Sequence, residues 1–215
     1  MAFPAPGSQE TIVLKSYYKS AIQIVQSKLS IMNEEHFLSQ GRKPIQVITS
    51  RIKDQQSILD KMRRHGYPIT AENAVNKLHD IAGVRAICAF EDDCYQIAET
   101  LLKHQDITLC QKKDFIQNPK PSGYRSLHLI ISVPIYLAAG KRDVKVEVQL
   151  RTISMDYWAE MEHALRYKQR VTFPPELDRE ILECAAISAQ LDERMGRLHD
   201  NLTAYITQQA TKYDL

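Results

Sequence analysis

No stretch of the 215 residues approaches the roughly 18 consecutive apolar positions that a membrane-spanning helix requires. The opening Met1-Ala-Phe-Pro-Ala-Pro-Gly-Ser8 lacks the charged and apolar regions of a signal peptide. A cytosolic (cytoplasmic) protein is the expectation. Cysteine is sparse and scattered, at Cys88, Cys94, Cys110 and Cys184, with no Cys-x-x-Cys pair and no His-x-x-x-His partner. Neither a disulfide framework nor a structural zinc site is signalled, and the four read as small buried residues. Excess charge is also missing: a formal net charge of +2 leaves no basic face for indiscriminate nucleic-acid binding. There is no internal repeat. Absent too are the Gly-x-x-x-x-Gly-Lys loop, the Gly-x-Gly-x-x-Gly turn and the Gly-x-Ser-x-Gly elbow, so P-loop and ordinary kinase readings lose support.

What is present is ordinary soluble composition, 44% apolar and 25% charged, in a chain long enough for one core plus helical extensions. Leu14, Tyr18, Ala21, Val25 and Met32 fall on one stripe between Thr11 and about Leu38, which predicts a helix that Gly41 and Pro44 end. Ile45, Val47 and Thr49 alternate toward Arg51 as a short strand. Asp54 then caps a helix through Arg64 that Gly66 terminates, and Thr70 caps a short one to Leu78. The apolar run Val84 to Phe90 predicts a strand buried on both faces, and Asp92 or Asp93 opens a helix from Tyr95 to His104. Strands follow at Ile107 to Phe115, Arg125 to Val133 and Asp143 to Leu150, with a turn-rich loop from Asn118 to Gly123. Ser154 caps a helix to about Lys168 that places Met155, Trp158, Ala159, Glu162 and Leu165 at helical spacing, Trp158 as a core anchor. The sum is an α+β fold, a mixed sheet of about five strands flanked by helices.

Beyond Pro174-Pro175, the positions Leu177, Ile181, Cys184, Ser188, Leu191, Met195, Leu198, Leu202 and Tyr205 alternate steps of four and three as a heptad-type seam. Such a helix either packs on the amino-terminal helix within one subunit or also builds a homo-oligomer.

The chemistry concentrates in Lys120-Pro-Ser-Gly-Tyr-Arg-Ser-Leu-His128 and Val146-Glu-Val-Gln-Leu-Arg-Thr152, with His79-Asp-Ile-Ala-Gly-Val-Arg85 upstream. Lysine meets a phosphate as a point charge and arginine as a planar fork, while Pro121 and Gly123 make a turn that holds Tyr124 out of the core for base stacking. Glu147 alternates with Val146 and Val148, so Glu147 and Gln149 face away from the core if those valines point into it. Asp80 and Glu147 are the carboxylates suited to a magnesium ion (Mg2+), which takes one or two such oxygens and completes its shell with phosphates and water. The plainer alternative is that each pairs with an arginine such as Arg85 or Arg151. The cationic run of Arg51, Lys53, Lys61, Arg63 and Arg64 reads, alone, as a solvated helix face, and with its companion motifs as an anion site. His79-Asp80 lacks the further histidines and distant aspartate of a metal-dependent phosphohydrolase, and His128 alone is a structural histidine.

These motifs in this order, with Trp158-Ala-Glu-Met-Glu-His163 after them, resemble the synthetase domain of the RelA/SpoT alarmone enzymes, specifically the stand-alone small alarmone synthetases. The resemblance covers roughly residues 42 to 170. It implies a nucleotidyltransferase-like synthetase fold that transfers pyrophosphate from ATP to the 3′-hydroxyl of GDP or GTP, giving (p)ppGpp and AMP. It further implies that Asp80 and Glu147 bind magnesium and that Glu147 is the base. Tyr124 would stack guanine, Lys120, Ser122, His128 and Gln149 would handle the acceptor, and Arg51, Lys53, Lys61, Arg64 and Arg85 would surround ATP. Family members are often tetramers built through terminal helices. The implied division is a flexible 1–10, a helical segment 11–41, the synthetase domain 42–170, and an oligomerising helix 171–215. Two other classes stand beside this reading: a nucleotidyltransferase releasing pyrophosphate, and a non-catalytic nucleotide- or RNA-binding oligomer.

Overall fold

The computed structural model describes residues 7–138, 140–166 and 174–213, with side chains to 209. The first six residues, the end of the helix expected at Lys168 and the junction expected at 170–171 lie outside the described residues. The elements run α1 (Gln9–Gln40), β1 (Ile45–Ile52), α2 (Gln55–Arg64), α3 (Ala71–Lys77), β2 (Ala82–Cys88) and α4 (Glu91–Leu102). They continue with β3 (Thr108–Asp114), β4 (Leu127–Leu137), β5 (Gly140–Thr152), α5 (Ile153–Arg166) and α6 (Pro175–Tyr213).

The strands form one five-stranded mixed sheet in the order β1-β2-β5-β4-β3, in which only β2 and β5 run parallel. One sheet face is apolar. Val84, Val146, Val148, Leu150, Leu129 and Ile131 are almost wholly buried there beneath α1 and α4. From α1 the stripe Tyr18, Ala21, Val25 and Met32 meets that face, joined by Ile22 and Leu29. Truncating a residue such as Leu29, fully buried, to alanine costs about 2–5 kcal/mol at positions of this kind. Gly41 ends α1 in a left-handed conformation at φ 71°, donating to Phe37 O, as the glycine implied.

Several local expectations need correction. Cys88 and Cys94 are buried as expected, but Cys110 on β3 and Cys184 on α6 are exposed. Val47 is exposed because the register slips between Ile45 and Val47, and this bulge turns Val47, Thr49 and Arg51 to the face opposite Ile45. β2 is not buried on both faces: Gly83 and Arg85 remain half-buried on the open side. The helix α4 begins after Phe90, and Asp93 lies inside it, accepting the Phe90 N–H while Arg42 grips its buried carboxylate at 2.7 and 2.9 Å. Thr152, not Ser154, caps α5: its hydroxyl accepts from Met155 N at 3.1 Å. Of the expected α5 stripe, Met155, Trp158 and Ala159 are buried, whereas Leu165 is exposed and Glu162 pairs with Arg166.

Within the subunit α6 packs chiefly on α5 and α4, where α1 was the expected partner. Trp158 Nε1 donates to Ile181 O at 3.1 Å, and Trp158, Ala159, Ile181 and Ala185 form a second small core. The rest of the seam is bare: Leu191, Met195, Leu198, Leu202 and Tyr205 are 47–61% exposed in the single chain. Among the described residues no helix is long and apolar enough to cross a membrane.

Candidate active site

The second sheet face carries the polar residues. Strand pairing places Arg51, Gly83 and Glu147 in one row across β1, β2 and β5, and Thr49, Arg85, Gln149 and His128 in the next. Since Val146 and Val148 are buried against α1, alternation alone turns Glu147 and Gln149 toward this side. A cavity of about 250 Å3 opens there, lined by Arg51, Asp80, Arg85, Glu147, Gln149 and Glu160 among others.

Asp80 lies between α3 and β2, as its position between a helix and a strand suggested. Its Oδ2 accepts from Lys53 at 2.5 Å and Lys61 at 2.8 Å, and its Oδ1 is buried with no partner among the described residues. Burial raises the Asp80 pKa, but the two lysines outweigh it, and the carboxyl titrates below the usual aspartate range. Glu147 is balanced in the same way. Burial pushes its carboxyl up, hydrogen bonds and charge from His128 and a hydrogen bond from Gln149 pull it down further, and the nearby Asp80 opposes them; the net is downward. The bonds are His128 Nδ1 to Oε1 at 3.2 Å and Gln149 Nε2 to Oε2 at 2.9 Å.

These two acids fit a magnesium ion. A buried, unpartnered carboxylate oxygen beside a second ionised carboxylate is the donor set that such an ion takes from protein when phosphates and water complete its shell. No group of three or more metal-ligating side chains occurs among the described residues.

On the other side of Glu147 stands Tyr124, half-buried rather than fully exposed. Its hydroxyl lies 2.8 Å from His128 Nε2 and accepts from Arg151 Nη2 at 2.6 Å. Lys120 Nζ sits 4.6 Å from the Tyr124 ring centre and 4.7 Å from that of Phe115. The loop that presents the ring closes with Gly123 N donating to Lys120 O at 2.8 Å. Gly123 has φ 88°, and a Cβ there would fall 2.5 Å from Ala185 Cβ on α6, so no other residue fits this turn against this helix.

Of the residues expected in the site, the fold brings together Arg51, Arg85, Asp80, Glu147 and Gln149 around the cavity, with Lys53 and Lys61 held on Asp80 and His128 on Glu147. Lys120 and Tyr124 stand beside His128, and Ser122 lies on the same loop, half-buried. Arg64 is exposed at the end of α2 and does not line the cavity. Among the described residues neither Asp80 nor Glu147 pairs with an arginine. Arg85 and Arg151 instead share Asp156 Oδ1 at 3.0 and 3.1 Å, and Arg85 also reaches Glu160 at 2.6 Å. Asp156, Glu160, Phe115 and the buried Arg151 were not singled out for the site; only the i, i+4 spacing of Asp156 and Glu160 marked them as sharing one helix face.

Fold and site together define a synthetase of the RelA/SpoT class, and residues 50–172 match the model of the "Region found in RelA / SpoT proteins". The chain belongs to this family. It is 44% identical over 178 residues to GTP pyrophosphokinase YwaC of Bacillus subtilis (strain 168), covering 83% of this chain and 85% of that one. It is also similar to the crystal structure of small alarmone synthetase 1 from Bacillus subtilis bound to its product pppGpp, with TM-score 0.82, 31% identity, and 90% and 98% of the two chains covered. A structure of the same protein bound to AMPCPP matches with TM-score 0.78 and 28% identity over 92% of this chain and all of that one, 100%.

Proposed function

We propose that this protein is a GTP pyrophosphokinase that moves the β,γ-pyrophosphoryl group of ATP to the 3′-hydroxyl of GDP or GTP, giving (p)ppGpp and AMP. The observation that carries this reading is that the open sheet face sets the hydrogen-bonded Tyr124, His128 and Glu147 beside a cavity that Asp80, Arg51, Arg85 and Glu147 line. Its relatives include a GTP pyrophosphokinase and a synthetase crystallised with pppGpp.

In this reading the guanine stacks at Tyr124 with Lys120, Ser122 and Gln149 around the nucleoside, and the ribose 3′-hydroxyl lies against Glu147. Arg51, Lys53, Lys61 and Arg85 take the ATP phosphates and adenine, and Arg64 stands farther out on α2. The 3′-oxygen attacks the β-phosphorus in line, the bond from that phosphorus to the α–β bridging oxygen breaks, and AMP leaves. Glu147 orients the hydroxyl and accepts its proton. Its low pKa suits this role, because in a loose phosphoryl-transfer transition state positioning matters more than base strength. The cations absorb charge on the moving phosphates. Asp80 and Glu147 are the residues that would hold a magnesium ion, whose charge would add to theirs at the reacting phosphates.

The bare seam on α6 supports a homo-oligomer, with a tetramer as the expected form. Incubation with ATP labelled at its γ-phosphate, magnesium, and GDP or GTP tests the assignment. Label entering a guanosine product together with AMP is expected. Release of pyrophosphate alone would mean a nucleotidyltransferase, and no product with any acceptor a binding protein.

A further inference from the structure

One acid in the cavity has no part in the chemistry above. Glu160, on α5, lines the same space as Asp80 and Glu147 but is reached from the far end, beside Thr49 and Arg85. It is half exposed, at 51%, and among the described residues only Oε1 is engaged, by Arg85 Nη1 at 2.6 Å. The hydrogen bond from Arg85 outweighs its small burial and lowers its pKa, so it is an anion at neutral pH.

A second negative charge beside a triphosphate is unfavourable, so the position of Glu160 along the cavity matters. The phosphate-binding cations Lys53 and Lys61 gather on Asp80, just before β2 begins. Glu160 sits at the level of Arg85, two residues along β2 past Gly83, which is about 6.6 Å at the usual rise per strand residue. With its phosphates at the Asp80 end, an ATP molecule extends its base toward Arg85 and Glu160. Arg85 is clamped at one nitrogen by both Asp156 and Glu160, which holds its guanidinium plane in place as a stacking surface. An ionised carboxylate only accepts hydrogen bonds, and the one adenine edge that donates is its 6-amino group.

We infer that Glu160 is a specificity-determining residue that accepts a hydrogen bond from the 6-amino group of the donor adenine through the carboxylate oxygen that Arg85 leaves unused. The inference rests on the ATP-dependent reading above and goes beyond it by naming what selects the donor base. Glu160→Gln keeps one accepting oxygen, which Arg85 and the adenine must share, and Glu160→Ala removes both.

The test compares ATP with purine riboside 5′-triphosphate, which is ATP without the 6-amino group, as donors at saturating GDP. In the unaltered protein ATP should exceed the analogue in kcat/KM by about 10- to 100-fold, the range of a hydrogen bond to a charged group. In Glu160→Ala the ratio should fall close to one, and Glu160→Gln should restore part of it. Equal use of both donors by the unaltered protein would overturn the inference. So would an alanine variant in which both donors weaken alike and the ratio stands, since Glu160 would then act only by clamping Arg85. A protein that makes no AMP from ATP and GDP at all fails at the earlier reading instead.

Discussion

Tyr124 and Glu147 are bonded to the two nitrogens of one imidazole, the Tyr124 hydroxyl 2.8 Å from His128 Nε2 and Glu147 Oε1 3.2 Å from His128 Nδ1. Arg151 donates to the Tyr124 hydroxyl, and the imidazole joins that hydroxyl to the Glu147 carboxylate. The residue assigned to the base and the residue assigned to the 3′-hydroxyl are therefore positioned by one side chain.

The acid limb of the pH–rate profile should follow from that link. Glu147 titrates lower in the folded protein than in the unfolded chain, so its contribution to stability is complete above the unfolded pKa and is lost as pH falls through the folded one. His128→Ala removes the hydrogen bond and charge that lower it and leaves burial in control, so the acid limb of kcat/KM should move to higher pH. An unmoved limb would show that another group sets it.

Glu147→Gln keeps the shape and the contact with Gln149 but removes the charge. Turnover should drop by about 100- to 10,000-fold, the usual worth of a general base, while circular dichroism and thermal unfolding stay near those of the parent. Near-normal turnover would take Glu147 out of the mechanism.

Tyr124→Ala should raise the KM for GDP or GTP by the equivalent of about 1–3 kcal/mol of lost stacking and leave that for ATP nearly unchanged. Separate titrations decide it, and an equal or larger loss for ATP would mean that the two nucleotides occupy the opposite places.

Gly123→Ala should weaken the acceptor through α6 rather than through the ring itself, because the new methyl meets Ala185. Overpacking of this kind costs about 1–3 kcal/mol. Adding Ala185→Gly should recover part of the acceptor KM, the left-handed φ accounting for the remainder. No recovery in the double variant would place the defect in the turn alone.

Leu198→Glu puts a charge on the bare seam of α6 and should lower the native mass measured by light scattering. A strictly monomeric parent across micromolar concentrations would show instead that the seam has no partner.

Much of this was legible because periodicity reports burial. The α1 stripe, the caps at Asp54 and Thr70, and the outward turn of Glu147 and Gln149 all follow from local pattern. Phe115 was not legible, since its edge-on approach to Tyr124 and His128 depends on how β3 is laid beside β4. Arg151 was read as a possible partner for Asp80 or Glu147, and only the folded arrangement buries it against Tyr124 and Asp156. The slip after Ile45 also escaped pattern reading: Val47 continues the alternation in sequence while the backbone has already changed face.

The clasp of Lys53 and Lys61 on Asp80 bears on ionic strength. A groove of unpaired cations would hold a loose cloud of counter-ions, and its hold on ATP would fade steeply as salt is added. Here the ammonium groups already have an anion between them, so an incoming triphosphate exchanges one ionic partner for another and few counter-ions are expelled. If Lys53 and Lys61 hold ATP as proposed, the KM for ATP should change little as salt is added.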